Sequence, residues 1–461
     1  VKKAVLTEGP VGRTLFRLTM PMMLGIISMV TFNLVDMFYI GRLGATELAA
    51  LSYTFPVVLV IASIAMGLGI GASAVISVAI GEGNEHQVKR LTTDSLVLSL
   101  LIVMIFAVAG LFTIDRVFTA LGAPPDILPL IRQYMRIWYF GVVFVVIPMV
   151  GNNAIRASGD TRTPGIIMSV AAAINIIFDP LLIFGLGPFP RMEIAGAATA
   201  TVFARATTLM VSLYVLGRRK RMITLERPRL KEVLDSWKRI LYIGIPAAGT
   251  RIIIPLASGV ITRILSAYGP KTVAGYGAAS RIEFFLLTII LALAAVLAPF
   301  VGQNLGAGRY ERVRHAIRFS KQFAFIYGVA LIGLLAVVAR PLAMVFNRDE
   351  QVVTAIVYYL RIVPYGYCLQ GVLMLCAASM NVLNRPLHAS ALSIFQMFAL
   401  YIPLALLGAH LIGVFGVYAA LAAAYVMAGV AAHFILKKLL ANRLEQGRAG
   451  PKLKPQREAV T

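Results

Sequence analysis

Apolar residues run along this chain in blocks of 20 or more, and short polar or glycine-containing stretches separate the blocks. A block of that length, wound as a helix, crosses a hydrocarbon core about 30 Å thick. Twelve such spans are predicted, at 14–40, 48–80, 91–114, 128–156, 163–186, 194–216, 238–266, 273–304, 315–339, 352–382, 387–409 and 413–436. The opening VKKAVLTEGP is polar and leads straight into the first span, so no cleavable signal peptide is expected.

The pattern repeats. Sliding the chain on itself by 225 residues sets Pro21 of LTMPMM over Pro246 of IGIPAA, and Leu43-Gly44 over Tyr268-Gly269. The same shift sets Gly81-Glu82-Gly83 over Gly306-Ala307-Gly308. With a gap of two or three residues, Arg162-Thr163-Pro164 meets Asn384-Arg385-Pro386 and Asp179-Pro180 meets Ile402-Pro403. Six spans per repeat is an even number, so both repeats start on one side and are related by a two-fold along the membrane normal. The fold class expected is therefore an all-α polytopic membrane protein of two six-helix repeats. Its expected parts are a first bundle at 1–217, a basic linker at 218–237, a second bundle at 238–440 and a polar tail at 441–461.

Composition agrees: 59% of the 461 residues are hydrophobic, 14% are charged, and mean hydropathy is +0.83. The net charge of +23 raises the question of a nucleic-acid partner. With the N-terminus inside, about 30 of the 43 lysines and arginines fall in inner segments and about 9 in outer ones, as membrane topogenesis requires. No nucleic-acid partner is expected. Both termini are expected in the cytoplasm and the chain in the plasma (inner) membrane, working as a monomer. Cys368 and Cys376 lie two helical turns apart on one span and cannot bridge each other, and no Cys/His spacing suggests a structural metal or haem.

Against this background the acid in FNLVDMFYIG, Asp36, is the anomaly. A carboxylate at a helix centre costs roughly 2.5–3.5 kcal/mol to insert. Counting along spans puts Asp36 and Asp179 at similar depth near the outer side, with Tyr134 and Thr201 in the same layer. Asn33 precedes Asp36 by three residues and Asn175 precedes Asp179 by four, so each amide shares a helical face with its acid. Asn33, Asp36, Tyr134, Asn175, Asp179 and Thr201 are thus the candidate polar cluster. Such a group of oxygens suits either a proton shared by two carboxylates or Na⁺, the latter at Asp36, Asn175, Asp179 and Thr201. In the second repeat Ile261 and Ile402 stand at the matching places. Pro21 removes an intrahelical hydrogen bond four turns before Asp36 and marks a bending point or a static kink. Phe32, Met37, Trp138, Met168 and Phe178 near the acids supply an apolar wall for a lipophilic cation, or else pack the bundle. Arg251, Arg263, Arg281 and Glu283 are the ionisable residues nearest the interior of the second repeat, with pairing expected across helices.

LTMPMM, NLVD, NNAIRASGDTRTP (152–164), NIIFDP (175–180) and GAATAT (196–201) together resemble the multidrug and toxic compound extrusion (MATE) transporters, over about 430 residues. The resemblance is to the prokaryotic branch that carries its key acids in the first half. It implies that Asp36 is central to coupling and that Asp179, Asn175 and Thr201 complete the ion site. It further implies that Tyr134 supports that site and Pro21 is the bending point. The implied activity is efflux of organic cations or amphipathic compounds in exchange for H⁺ or Na⁺, by alternating access and without a cofactor. Phe32 departs from the pattern, since some relatives carry a tyrosine hydroxyl there. A lipid or lipid-linked saccharide flippase of the same fold is the alternative, and Arg205, Arg251, Arg263 and Arg281 speak for its cationic cavity. No nucleophile or metal constellation suggests an enzyme.

Overall fold

The computed structural model describes residues 4–449, and all regular structure among them is helical. A 3-10 turn, Val5–Thr7, precedes α1 (Val11–Gly41), α2 (Ala45–Gly81), α3 (Glu85–Ala120), α4 (Leu128–Ala157), α5 (Arg162–Phe184) and α6 (Glu193–Tyr214). The second half begins with α7 (Leu230–Ser266), α8 (Pro270–Gly306) and α9 (Tyr310–Phe346). Next, α10 (Glu350–Ile362) and α11 (Tyr367–Val382) form one span across a 3-10 turn at Val363–Gly366, where Pro364 cannot donate to the α-helical ladder. Finally α12 (Pro386–Ile394) passes through a π-helical segment, Phe395–Tyr401, into α13 (Ile402–Ala449).

Eleven helical stretches among the described residues are long and apolar enough to cross a membrane. The last of these, Pro386–Asn442, is 57 residues long, about twice what one crossing needs. It breaks at Ile412 and Gly413, the latter at φ 65°, a left-handed conformation that glycine takes without strain. Across the break the backbones of Gly408 and Gly416 approach so closely that neither has room for a side chain, and the Tyr268 hydroxyl donates to the Ala409 carbonyl at 2.7 Å. Two spans turn back on each other there, which makes twelve.

The repeat is exact over the helices that build the interface. Helices α2 and α8 begin and end 225 residues apart, as do the ends of α1 and α7 and the starts of α3 and α9. Gly83 and Gly308 close α2 and α8 with the same left-handed turn, φ 72° and 70°. Helix α7 starts at Leu230, so the later part of the basic stretch between the halves is helical. That stretch is tied to α3: Thr224 N donates to Thr93 Oγ1 at 3.0 Å and Trp237 Nε1 to the Asp94 carbonyl at 3.1 Å. Of the tail expected from 441, residues 450–461 lie outside the described residues.

Large apolar side chains point outward around the whole bundle; Phe112 is 85% and Val337 76% exposed, as a surface facing hydrocarbon allows. The halves meet by close backbone packing at small residues. Gly67 and Gly71 of α2 admit the backbone of α7 at Gly244 and Ile240. Nearer the N-terminus of the bundle, Gly81 packs on the Gln303 carbonyl, Gly306 on the Val78 carbonyl and Gly302 on Ser77. From Gly67 and Gly244 down to the end that carries the N-terminus the halves are therefore locked together. Toward the other end, Gly249, Gly259 and Gly277 have open space where a side chain would stand.

Candidate functional site

Helix α5 carries Asn175 and Asp179 on one face because they are four residues apart, and that face is turned fully into the first half. The Asn175 amide, Nδ2, donates to Asp179 Oδ1 at 3.0 Å and lies 3.4 Å from Thr201 Oγ1 on α6. Asp36 on α1 is within electrostatic reach of Asp179, and both acids are within reach of the buried Tyr134 on α4. Four helices thus bring Asp36, Tyr134, Asn175, Asp179 and Thr201 together.

The satisfaction of these groups is incomplete. Asp36 Oδ1, Asn175 Oδ1 and Asp179 Oδ2 are all buried with no hydrogen-bond partner among the described residues. A buried polar atom left unpaired costs about 1–3 kcal/mol, and more when it is charged. Three oxygens without donors in one small volume form an acceptor-rich site that a proton or a hard monovalent cation would satisfy. No group of three His, Cys, Asp or Glu side chains suited to a metal occurs among the described residues.

Asn33 is not brought into this cluster. It is exposed and makes no side-chain hydrogen bond among the described residues, because three residues is less than a full turn and leaves it on the edge of the α1 face that Asp36 occupies. The residues expected to form an apolar wall also divide. Phe32 and Met168 line a small cleft together with Met29, Ala204 and Arg205. Trp138 is buried in the packing of the first half with Tyr139 edge-on at 5.8 Å. Phe178 turns to Phe203 and Phe189, at 4.9 and 6.2 Å between ring centres, and Met37 is exposed. Phe32, without a hydroxyl, receives the Arg205 guanidinium over its ring at 5.3 Å. The charged group in the cleft is therefore a cation.

Pro21 lies inside α1, which runs unbroken through it. Its carbonyl touches Gly165 of α5, where Gly25 of α1 also crosses closely, and Thr161 Oγ1 donates to the Leu18 carbonyl at 2.7 Å. The proline is seated against α5 by backbone contact, about four turns before Asp36 on its own helix.

Glu283 of the second half does pair across helices, though with phenols rather than with arginine. It is buried on α8 and accepts from Tyr425 at 2.7 Å and from Tyr359, while Arg281 is exposed. Two residues missed at the level of sequence are Arg156 and Asn153 of α4, which bond to each other. Arg156 also reaches Met22 Sδ at 3.5 Å and lies within electrostatic range of Arg251 on α7.

The MatE family model matches residues 21–181 and 246–407, two segments that start at the two aligned prolines. The chain is 38% identical to an FAD transporter of Shewanella oneidensis, over 94% of this chain and 96% of the relative. It is 27% identical to the probable multidrug resistance protein YoeA of Bacillus subtilis, over 95% and 96%. Among solved structures it is similar to the bent form of the Vibrio cholerae MATE transporter VcmN, with a TM-score of 0.90, 30% identity and coverage of 94% and 98%.

Proposed function

The chain belongs to the MATE family of multidrug efflux transporters, a class of membrane carriers rather than enzymes, and on that footing we propose that it exports small amphipathic molecules in exchange for H⁺ or Na⁺. The observation that carries this reading is the set of unpartnered oxygens of Asp36, Asn175 and Asp179. An entering ion would satisfy them, and the gain would be available only while the four helices stand in this arrangement.

In this reading the N-terminus is cytoplasmic, following the lysine and arginine count, and the end of the bundle opposite it faces outward. An ion arriving from outside loads Asp36 and Asp179, with Asn175 and Thr201 orienting the acids and Tyr134 closing the site. Loading removes the repulsion between α1 and α5. Helix α1 then bends at Pro21, the cleft beside Phe32 and Met168 contracts and cargo leaves. The named form of the solved relative, bent, supports a role for such bending. The halves next part at the N-terminal end, the ion leaves to the cytoplasm and cargo reloads. One chain carries a complete cleft and a complete ion site, which supports action as a monomer in the plasma membrane.

Two cargo classes come into play. The sequence pattern favours organic cations, whereas identity to an FAD transporter favours an anionic flavin dinucleotide. The relatives are named for FAD transport and for multidrug resistance, so a lipid flippase is not favoured.

The test is gradient-driven uptake of ethidium and of FAD into proteoliposomes under imposed pH or Na⁺ gradients. Wild type should respond to one gradient, and Asp36→Asn and Asp179→Asn should lose that response. Full gradient-driven transport by both variants would sink the coupling assignment.

A further inference from the structure

Two guanidiniums from opposite halves meet at the level where α4 and α7 pack on α2. Asn153 of α4 packs against Gly69 of α2, and Ala248 of α7 packs against Gly67, so the two helices flank α2 at one level. Arg156 and Arg251 each follow one turn later, on helices that run in opposite directions. Side chains on a helix lean toward its N-terminus, so these two converge. They are within electrostatic range of each other and only partly buried.

Neither is paired with an acid among the described residues. Within the spans Asp94 is held by Arg90, Glu283 by Tyr359 and Tyr425, and Asp36 and Asp179 belong to the ion cluster. Among the described residues no salt bridge joins a carboxylate to Arg156, Arg251 or the Arg205 that overlies Phe32. Guanidinium keeps its proton, so two like charges held together away from bulk water are costly unless something of opposite sign comes between them.

The geometry also prepares Arg156 for a ligand. Its Nη2 is fixed by the Asn153 carbonyl oxygen, and Asn153 is fixed in turn by donating to the Met149 carbonyl at 2.7 Å. That leaves the remaining N–H groups of a pre-set fork, the shape that phosphate and carboxylate oxygens match. Met22 beside Arg156 and Met29 of the upper cleft are seven residues apart, on one face of α1. The same face of α1 thus runs from the paired arginines toward Phe32 and Arg205.

We propose that Arg156 and Arg251 form an anion-binding subsite, and that the cargo is an aromatic molecule bearing a phosphate group, its ring against Met29, Phe32 and Met168. This rests on the export reading for its physiological meaning, but it is tested by equilibrium binding, without a gradient. Failure here would leave ion coupling standing.

The test is calorimetric titration of the full chain in phosphatidylcholine nanodiscs with adenosine, ADP and pyrophosphate. Wild type should bind ADP about tenfold or more tightly than adenosine, tenfold being 1.4 kcal/mol. Arg156→Gln and Arg251→Gln should each bring that ratio near one while adenosine binding, the check on folding, persists. Arg251→Lys should keep part of the preference. Equal binding of ADP and adenosine by wild type, or an ADP preference untouched in both glutamine variants, would overturn the proposal. Pyrophosphate binding as tight as ADP would assign the pair to free phosphate and overturn the cargo class. Loss of the preference in phosphatidylglycerol discs would assign it to a lipid headgroup and do the same.

Discussion

Asn175 donates its amide to Asp179 Oδ1 at 3.0 Å across one turn of α5, and Asp179 Oδ2, equally buried, has no partner. One oxygen of the carboxylate is thus positioned by the helix itself while the other is left for an ion. Asn175→Ala should free the acid to rotate and leave it present. Gradient-driven transport should fall by about tenfold with the apparent affinity for the coupling ion weakened, as expected for the loss of about 1.5 kcal/mol at a charged hydrogen bond. Asp179→Asn should abolish the ion dependence altogether. A variant at Asn175 with unchanged ion affinity would place the ion elsewhere.

Much of this site was legible from spacing. Asn175 and Asp179 are separated by one turn, and counting from span ends puts Asp36 and Thr201 in their layer. Arg156 was not legible, because it stands at the end of a span, where topology alone accounts for a basic residue; only the packing of α4 and α7 around α2 sets it opposite Arg251. Trp138 and Phe178 went to packing and Phe32 to the cleft, a division set by helix rotation that aromatic identity does not encode. Glu283 was visible as a buried acid, but its phenol partners lie 76 and 142 residues away along the chain. The twelve spans were legible since length and hydropathy decide them, and the turn at Gly413 falls where the eleventh and twelfth spans were expected to part.

The two tyrosines on Glu283 join α8 to α10 and α13 within the second half. Glu283→Gln replaces an oxygen acceptor by a donor toward one of them, so one bond is lost and a buried group is left unpaired. Thermal unfolding in detergent should show a loss of about 1–3 kcal/mol. The ion dependence of transport should be retained, since no acid of the first-half cluster is touched. Unchanged stability with altered ion dependence would instead put Glu283 on the ion path.

Asp160 lies in the loop between α4 and α5. Burial pushes its carboxyl up, but the Thr163 amide, the Lys220 ammonium and the Thr163 hydroxyl outweigh burial and hold it below the usual carboxylate range. Lys220 Nζ is 2.9 Å away, at the end of the segment that follows α6. A folded-state value below the unfolded one means that the stabilisation is complete above the unfolded value and is lost as pH falls through the folded one. Asp160→Asn should therefore unfold more easily than wild type by about 1 kcal/mol at neutral pH. The difference should stay constant down to about pH 5 and shrink below about pH 4. A difference that grew on acidification would contradict the assignment.

The N-terminal segment is the keystone of the closed end. Leu6, 2% exposed, donates its amide to Gln303 Oε1 at 3.1 Å, and Gln303 Nε2 donates onward to the Ala157 carbonyl at 2.7 Å. Asn304 Nδ2 donates to the Leu6 carbonyl at 3.1 Å, and Arg309 and Arg312 take the carbonyls of Thr7 and Gly9 at 2.6 and 2.9 Å. The segment that leads into α1 is thereby bonded to α8 and α9 of the second half, and Gln303 of α8 reaches on to α4 of the first. Each bond is worth about 1 kcal/mol net, so Gln303→Ala, which removes two, should favour parting at this end by roughly tenfold or more. Ser77, fully buried against Gly302, reports the change. As Ser77→Cys, in a background without Cys368 and Cys376, it should react with a water-soluble maleimide severalfold faster when Gln303→Ala is added. Labelling at the wild-type rate would mean that the glycine contacts of α2 and α8, rather than the N-terminal segment, hold this end shut. Gly306→Val, which has no room beside the Val78 carbonyl, would then be the variant that opens it.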